Sequence, residues 1–285
     1  AAGGWQGRLH SLRSATCGAE PIRIDTMRDF AARFAANGLD PGALMPSYGM
    51  AETVLGATAS PPGRGLKTAV SPDGVMRVAC GRTIPGMSVA IVDPDSGVRL
   101  ADGVEGEIWL RGSSVGSGYW NAPEATRESF GARTADGEGP WLRSGDLGFL
   151  DAAGELVVSG RLKDLIIVNG RNVAPQDVEW AAQAAAVGLR EGAGAAFAID
   201  GAEGETVVLV QEVERGTAPE SLAGTERAVR DALLAQHELA LAELVLVRPG
   251  SLPRTSSGKL QRRAAAAAWR DGRFDTSRVV PAEAP

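Results

Sequence analysis

The chain has 285 residues, of which 44% are hydrophobic and 22% charged, a composition typical of a soluble globular protein of about two domains. Its net charge of -6 argues against a nucleic-acid-binding surface, and no uncharged apolar run approaches the ~20 residues that a membrane span needs. The two cysteines, Cys17 and Cys80, form neither a disulfide framework nor a CxxC pair, so we expect a reducing, cytoplasmic environment.

The first third of the chain predicts one amphipathic helix and several loops. Residues 12–17 indicate a short strand, and Asp25 is placed to cap the helix that follows. Three apolar residues share one face of that helix: Met27, Phe30 and Phe34. Asn37-Gly38 is a typical helix end. We expect a loop over 46–52, which Pro and Gly flank, and an irregular segment over 56–76, which is rich in Gly, Pro, Ser and Thr.

Residues 78–170 indicate a β-rich segment, because short runs of Val, Ile and Leu alternate with Asp-Gly and Asp-Pro breaks. The predicted strands are Val89–Val92, Gly106–Arg111, Glu155–Val158 and Leu165–Val168. After Arg171 the pattern changes to an α+β module. Its predicted elements are helix 176–187, strand 194–199, strand 206–213, helix 222–238, strand 243–247 and helix 259–270. Residues 272–285 lack periodicity and are expected to fray.

The stretch Leu252–Arg263 contains small residues, a glycine and a lysine, and therefore invites comparison with a phosphate-binding P-loop. A P-loop has the pattern Gly-x4-Gly-Lys-Ser/Thr. Here Pro253 stands in place of the first glycine and removes a backbone N–H group that such a cradle uses. Leu260 follows Lys259, so no hydroxyl is offered to Mg²⁺. The P-loop prediction fails, and two readings of Lys259 remain: a point charge delivered to an anion, or a solvated surface lysine.

Four other segments carry groups suited to a nucleotide. Tyr48–Glu52 places an aromatic ring and a carboxylate on one loop, where they can stack on a base and hold Mg²⁺. Asp146, within Arg143–Gly148, can accept hydrogen bonds from both hydroxyls of a ribose. Gly160–Asp164 follows a predicted strand, and Ser114–Trp120 is a Gly-rich turn that ends in aromatic residues. Each segment alone is also typical of turns, surface ion pairs or ordinary packing.

In their order, spacing and joint presence, these segments resemble the acyl-adenylate-forming enzymes, which include acyl-CoA ligases, peptide-synthetase adenylation domains and fatty acyl-AMP ligases. The matching segments are Gly18–Pro21, Tyr48–Glu52, Gly106–Gly112, Gly118–Trp120, Ser144–Asp146, Gly160–Asp164 and Leu252–Lys259. The stretches 139–149, 164–177 and 251–263 are most similar to the fatty acyl-AMP ligases, as is Ala51, where most relatives have threonine.

The resemblance implies an α/β (α+β) fold in four parts. Residues 1–77 would end the large N-terminal domain, and 78–162 would be a small β-barrel-like subdomain. Residues 163–271 would form a mobile α+β C-terminal domain, followed by the tail 272–285. The family binds triphosphate with a Thr/Ser/Gly-rich loop that ends in lysine, and these 285 residues contain no such segment. We therefore expect the C-terminal part of an enzyme, inactive by itself, that is processed or begins inside a longer protein.

The resemblance also implies a two-step reaction with ATP and Mg²⁺. A carboxylic acid, expected to be fatty or polyketide-like, attacks the α-phosphate to give acyl-AMP, and a phosphopantetheine thiol then takes the acyl group. An acyl carrier protein is the expected acceptor. CoA is the alternative, because the segment 53–79 is shorter than the insertion that fatty acyl-AMP ligases carry after the Tyr-Gly loop.

Residue by residue, the resemblance implies that Lys259 and Glu52 are catalytic, with Glu52 as the metal ligand and Lys163 as the hinge between domains. The residues implied to bind the nucleotide are Gly18, Ala19, Glu20, Tyr48, Gly49, Met50, Ala51, Asp146 and Arg161. Tyr48 would stack on adenine, the backbone of Gly18–Glu20 would line the adenine edge, and Asp146 and Arg161 would bind the ribose hydroxyls.

Other assignments remain open from the sequence. An acyl-CoA ligase and a peptide-synthetase adenylation domain share most of these motifs. A truncated, non-catalytic module that binds nucleotide, a carrier protein or a partner subunit is the third alternative, because the triphosphate loop is missing.

Overall fold

The computed structural model describes residues 7–168, 171–201 and 204–279. The chain divides into two compact units, Ala1–Leu162 and Lys163–Pro285. The division lies beside Lys163, the residue that the sequence predicts as a hinge. The two units are called the first and the second unit below.

The first unit consists of short strands and two helices among its described residues. Its elements are β1 (Ala15–Cys17), α1 (Ile24–Phe34), β2 (Leu44–Tyr48), β3 (Thr58–Ala59), β4 (Thr68–Val70), β5 (Met76–Val78), β6 (Arg82–Thr83), β7 (Met87–Val92), β8 (Gly106–Gly112), α2 (Pro123–Phe130), β9 (Leu142–Leu150) and β10 (Leu156–Arg161).

Two four-stranded sheets organise the first unit. One has the order β1-β2-β3-β6, in which β1 and β2 are parallel and the other pairs antiparallel. The other has the order β10-β9-β8-β7 and is antiparallel throughout. A sheet of four strands is too small to close on itself, so among the described residues the β-rich segment is an open sheet, and the predicted barrel-like form is wrong.

The helix predicted near Asp25 is present, but Asp25 is not its N-cap. Helix α1 begins at Ile24, so Asp25 lies inside the first turn, where its negative charge interacts favourably with the positive end of the helix dipole. Met27 is buried, whereas Phe30 is 40% exposed. A short 3-10 turn over Ala35–Asn37 extends the helix, and Gly38 ends it in the left-handed conformation, as predicted.

The predicted loop 46–52 begins as a strand, and one strand was not predicted at all. Pro46 lies within β2, beside Cys17 of the parallel strand β1. The strand absent from the prediction is β9, which has nine residues and contains Asp146. The 56–76 segment is largely irregular, as expected, apart from β3, β4 and the first residue of β5.

The second unit is an α+β module, as the sequence predicts. Its elements are β11 (Ile166–Val168), β12 (Arg171–Val173), α3 (Pro175–Ala185), β13 (Leu189–Gly201), β14 (Gly204–Val213), α4 (Thr225–His237), β15 (Leu241–Val247) and α5 (Arg262–Arg270). Its main sheet has the order β13-β14-β15, with β14 antiparallel to β13 and parallel to β15.

Helices cover both faces of this sheet, which explains the continuous apolar sequence of β14. Val207 and Leu209 pack in a core with α3 and α4, whereas Val208 and Val210 pack in a second core with α5. All four side chains are fully buried. The alternation follows the two-residue period of a strand.

The C-terminal tail prediction is wrong for residues 272–279. Phe274 is buried in the core under α5, and Arg278 donates to Glu243 Oε1 at 2.6 Å. The rest of the predicted tail, 280–285, lies outside the described residues. Within the described ranges, no helix is long and apolar enough to cross a membrane.

Candidate active site

The side chains of Tyr48, Asp146 and Arg161 form one hydrogen-bonded cluster in the first unit. Tyr48 Oη donates to Asp146 Oδ2 at 2.8 Å, and Arg161 Nε donates to Asp146 Oδ1 at 3.1 Å. Three strands supply these groups: Tyr48 ends β2, Asp146 lies in β9, and Arg161 ends β10 directly opposite Asp146. The fold therefore brings Tyr48 and Arg161 together on the carboxylate of Asp146.

Buried polar groups fix the backbone on which Asp146 stands. The backbone N–H of Asp146 donates to Ser144 Oγ at 3.0 Å, and that hydroxyl donates to a β8 carbonyl at 2.6 Å. Glu107, which is 2% exposed, accepts from Gly145 N–H at 3.1 Å and from Arg143 Nε at 2.8 Å. A buried carboxylate needs such partners, and these partners also set the direction of the strand at Asp146.

Exposure differs sharply within the cluster. The Arg161 side chain is 60% exposed and that of Asp146 17%, so their ion pair adds little stability and the guanidinium is accessible to a ligand. Tyr48 is largely buried, packed in the core of the first unit. Burial, and then the neighbouring Asp146 carboxylate, raise the pKa of Tyr48 well above its usual range. Tyr48 is therefore a neutral hydrogen-bond donor at physiological pH.

Glu52 has a separate partner, Tyr119. Tyr119 Oη donates to Glu52 Oε1 at 2.8 Å, while the Gly116 N–H donates to the Glu52 carbonyl at 2.8 Å. The Tyr119 ring packs edge-on against Phe130 of α2, with ring centroids 5.1 Å apart. Burial, and then the Glu52 carboxylate, raise the pKa of Tyr119, and the charge of Arg161 opposes this rise as it does at Tyr48.

The loop between Tyr48 and Glu52 is tightly packed. A Cβ atom added at Gly49 would lie 1.9 Å from the Leu55 carbonyl oxygen, so the close approach of the two backbones requires glycine here. Met50 is partly buried, and Ala51 begins a 3-10 turn over Ala51–Thr53 that carries Glu52. The spacing of this loop thus depends on a residue with no side chain.

Gly18, Ala19 and Glu20 follow β1 directly. Because β1 and β2 are parallel, the ends of both strands lie at the same edge of the sheet, and Cys17 pairs with Pro46. Ala19 has a positive φ of 71°, which is uncommon for a residue with a side chain. The described site residues of the first unit therefore converge from the ends of β1, β2 and β10 and from the middle of β9.

Lys259 lies in the second unit, on a tight hairpin. Thr255 N–H donates to the Lys259 carbonyl at 2.8 Å, and Gly258 N–H donates to the Thr255 carbonyl at 2.9 Å. The Lys259 side chain is exposed. Helix α5 begins at Arg262, three residues later than predicted, because Leu260 forms an antiparallel bridge with Arg254. The backbone N–H groups of Thr255, Gly258 and Lys259 all bond within the hairpin and so do not point outward as in a phosphate cradle.

Lys163, at the start of the second unit, lies in a 3-10 turn over Leu162–Asp164 and is exposed. Its carbonyl accepts from Arg263 Nη2 at 3.2 Å, and Arg263 Nε lies 3.4 Å from Asp164 Oδ1. Arg263 of α5 thus fastens the turn to the second unit.

Comparison with known proteins identifies the family. A family profile described as AMP-binding enzyme matches residues 3–120, and one described as Disco-interacting protein 2-like, AMP domain, matches residues 163–279. This chain belongs to the superfamily of adenylate-forming, AMP-binding enzymes.

Curated relatives of this chain include a medium-chain-fatty-acid–[acyl-carrier-protein] ligase, JamA, of Moorena producens, which is 39% identical over 94% of this chain and 48% of its own length. A putative fatty-acid–CoA ligase, fadD25, of Mycobacterium tuberculosis is 39% identical over 94% of this chain and 49% of its own length. This chain thus spans about half the length of the curated relatives that it matches.

A solved structure from work on fatty acyl-adenylate ligases of E. coli and L. pneumophila has the same mixed α/β fold. It matches with a TM-score of 0.81 and 30% identity over 94% of this chain and 49% of the other. The predicted fold class and family are therefore confirmed.

Glu52 is the residue that the sequence predicts as the Mg²⁺ ligand. In the described part of the chain, no three His, Cys, Asp or Glu side chains cluster as a metal site. A single carboxylate fits Mg²⁺ in a nucleotide site, since that ion is usually held by one or two carboxylates together with phosphates and water. Glu52 is partly exposed. Its Oε1 accepts the hydrogen bond from Tyr119, and its Oε2 is the oxygen that could bind a cation.

Three residues of the site were missed by sequence reasoning. Tyr119 contacts Glu52, Glu107 supports Asp146, and Ser144 orients the same strand. The motifs that contain them (Gly118–Trp120, Gly106–Gly112 and Ser144–Asp146) mark the family, yet no sequence pattern states which side chain each residue touches.

Proposed function

We propose that this chain is part of an ATP-dependent acyl-activating enzyme that converts a fatty or polyketide-like acid to acyl-AMP and passes it to a thiol. The observation that carries the proposal is the convergence of Tyr48 and Arg161 on the carboxylate of Asp146. The first unit would combine the end of the large domain, 1–77, with a β-rich subdomain, 78–162. The second would be the mobile C-terminal domain, over about 163–271.

In the proposed site, Asp146 accepts hydrogen bonds from the ribose hydroxyls and Arg161 donates to them. The exposed Arg161 guanidinium supports this role, because a ligand can reach it without unfolding the strand. Tyr48 forms a wall of the adenine site, and its hydroxyl orients Asp146. The backbone of Gly18–Glu20 lines the edge of the base.

The first half-reaction joins the acid to AMP. A carboxylate oxygen attacks the α-phosphorus, the bond to the bridging oxygen breaks, and pyrophosphate leaves. Negative charge gathers at the α-phosphate, and the Lys259 ammonium is proposed to stabilise it. A preorganised group of this kind is typically worth about 3–4 kcal/mol, or roughly 10²–10³ in rate. Mg²⁺, when held by Glu52, would neutralise phosphate charge.

The second half-reaction transfers the acyl group. A thiolate attacks the acyl carbonyl carbon, the mixed anhydride bond breaks, and AMP leaves with its phosphate charged. Lys163 is proposed as the hinge about which the second unit turns to withdraw Lys259 and admit the thiol. The boundary between the two units, next to Lys163, supports this assignment.

The proposed thiol is the phosphopantetheine of an acyl carrier protein. JamA, the relative named above, is an acyl-carrier-protein ligase, and this favours that acceptor. CoA is the second candidate, because fadD25 is described as a putative CoA ligase at the same identity.

The test is product analysis with the full-length enzyme that carries this chain. With ATP, Mg²⁺ and fatty acids of graded length, mass spectrometry should detect acyl-AMP, followed by acylation of holo carrier protein and not of CoA. If CoA is acylated and the carrier protein is not, CoA is the acceptor and the carrier-protein proposal is wrong. Failure to form any acyl-AMP would leave the non-catalytic module as the better account. The 285-residue chain alone should form none.

A further inference from the structure

The guanidinium of Arg254 joins the Lys259 hairpin to the sheet of the second unit. Arg254 Nη1 donates to the Gly258 carbonyl at 2.9 Å, and Nη2 donates to the Gly192 carbonyl at 2.8 Å. Gly258 directly precedes Lys259, and Gly192 lies in β13. One planar side chain thus connects the peptide next to Lys259 with the main sheet.

The other hydrogen bonds described at the tip of the hairpin are internal to it. For example, Lys259 N–H donates to Thr255 Oγ1 at 3.0 Å. Gly258 has a φ of 88°, a conformation suited to glycine, and its side of the loop is open, with nothing within 4 Å of an added Cβ. The internal hydrogen bonds define the conformation of the tip, whereas the hydrogen bond from Arg254 to Gly192 joins the tip to the sheet.

The sheet end of this link is itself held firmly. The pairing of β13 with β14 is irregular between Leu189 and Gly194, where Gly192 lies. Buried amides support the irregular stretch: Gly192 N–H donates to Gln183 Oε1 at 3.2 Å, and Gln211 Nε2 donates to the Arg190 carbonyl at 2.8 Å. Gln211 is fully buried, so its partners are fixed.

Buried carboxylates fix the hairpin segment at both ends. Leu252 N–H donates to Glu212 Oε1 at 2.9 Å, and Arg262 forms a two-point pair with Glu179 at 2.6 and 2.8 Å. Glu212 is fully buried and Glu179 is 5% exposed. Leu252 and Arg262, at the two ends of the segment, are therefore anchored in the core. Between them, Arg254 connects the hairpin to the sheet.

We propose that Arg254 is a positioning residue for Lys259: its two hydrogen bonds hold the hairpin at one place on the second unit. The inference rests on the proposed function for the role of Lys259 in adenylation, and the ordering of the hairpin is a separate claim. Arginine suits the task because its rigid fork meets two carbonyls at once, whereas the single ammonium of lysine meets one.

The experiment compares Arg254→Ala and Arg254→Lys with the matched control Arg248→Ala. Arg248 is an exposed arginine of the same connecting segment, so its removal changes the charge equally. Backbone ¹⁵N relaxation of the 285-residue chain reports order at Gly258 and Lys259. We expect order parameters near 0.85 in the parent to fall below about 0.6 in Arg254→Ala, with those of β14 unchanged.

Partial reactions of the full-length enzyme give the second measurement. Arg254→Ala should slow acyl-AMP formation at least about tenfold, while thiol transfer from supplied acyl-AMP stays within twofold of the parent. Arg254→Lys should recover less than half of the loss. A merely structural role would lower both partial reactions and the melting temperature together, and that result would overturn the proposal.

Two further outcomes separate the inference from the proposed function. Unchanged relaxation at Gly258 and Lys259 in Arg254→Ala would overturn the inference and leave the proposed function intact. If Lys259→Ala abolishes acyl-AMP formation and Arg254→Ala does not alter it, the positioning role is wrong. If the parent enzyme forms no acyl-AMP, the proposed function fails and the catalytic part of the inference fails with it, while relaxation still decides the ordering of the hairpin.

Discussion

The phenol of Tyr48 donates a 2.8 Å hydrogen bond to the carboxylate of Asp146, 98 positions later in the chain. Tyr48 is buried at the end of β2, and the carboxylate is bound on its other oxygen by Arg161. Because the phenol has little contact with water, its proton is held by burial and by the adjacent negative charge. The state of Tyr48 therefore reports directly on the carboxylate that is proposed to bind ribose.

Replacing the carboxylate should lower the pKa of Tyr48. Asp146→Asn removes the charge that disfavours the phenolate, whereas the larger effect of burial remains, so the Tyr48 pKa should fall and stay above 10. The chain has two tyrosines, so Tyr119→Phe isolates Tyr48 in an ultraviolet titration of tyrosinate. The control is Asp102→Asn, at an exposed carboxylate of the same unit. An unshifted Tyr48 in Asp146→Asn would show that the hydrogen bond does not form.

The Glu179–Arg262 pair should be essential to the stability of the second unit. Glu179→Ala removes the two-point ion pair with the Arg262 guanidinium, whose side chain is 20% exposed, and it also removes the acceptor of the Ala196 N–H. Breaking a buried pair in this way typically costs about 3–5 kcal/mol. Urea unfolding of the chain measures the loss, and the double variant Glu179→Leu with Arg262→Met should regain most of it. A loss below about 1 kcal/mol in the single variant would contradict the structure.

The same pair should give an unusual dependence of stability on pH. Burial raises the pKa of Glu179, although Arg262 acts in the opposite direction. In the window from the ordinary pKa of 4.5 up to the raised value, the folded state binds more protons than the unfolded state. Its stability should therefore fall as pH rises through that window. The difference in unfolding free energy between the parent and Glu179→Gln isolates this slope, and a slope of the opposite sign would show that Arg262 dominates.

Gly49→Ala should disturb the Glu52 loop. The added Cβ would lie 1.9 Å from the Leu55 carbonyl oxygen, so the backbone must move and the Glu52–Tyr119 contact with it. We expect at least a tenfold loss of acyl-AMP formation by the full-length enzyme and a displaced loop in a crystal structure. Gly56→Ala is the matched control, because its Cβ would meet only Ile84 Cδ1, at 3.6 Å. Equal activity of the two variants would separate this loop from catalysis.

The order of the motifs, the fold class and most helices of the second unit could be predicted from the sequence, because apolar periodicity and local turn residues carry that information. Strand β9 could not. Its glycines read as turn signals, yet a Cβ at Gly148 would lie 2.3 Å from the Val157 carbonyl oxygen, so that glycine marks a close approach to β10. The Asp25 cap was misplaced by two positions, from Arg23, where the helix begins without a side-chain capping hydrogen bond, and differences of one or two residues are common at helix ends.

The contacts within the site were also beyond the sequence. Tyr119 and Glu52 are 67 positions apart, and Arg254 and Gly192 are 62 apart. Pairings of this kind follow from strand register and loop shape, which no local pattern encodes. The roles of Lys259, Lys163 and the adenine contacts remain predictions, which the variants above and below examine.

Lys259 is proposed to serve the adenylation step of an acyl-activating enzyme. The most direct test is fatty-acid-dependent exchange of pyrophosphate into ATP by the full-length enzyme, with Lys259→Ala and Arg248→Ala compared at saturating substrate. We expect exchange in the parent and in Arg248→Ala, and a loss of about 10²–10³ in Lys259→Ala, with thiol transfer from supplied acyl-AMP retained. Full exchange by Lys259→Ala would contradict it.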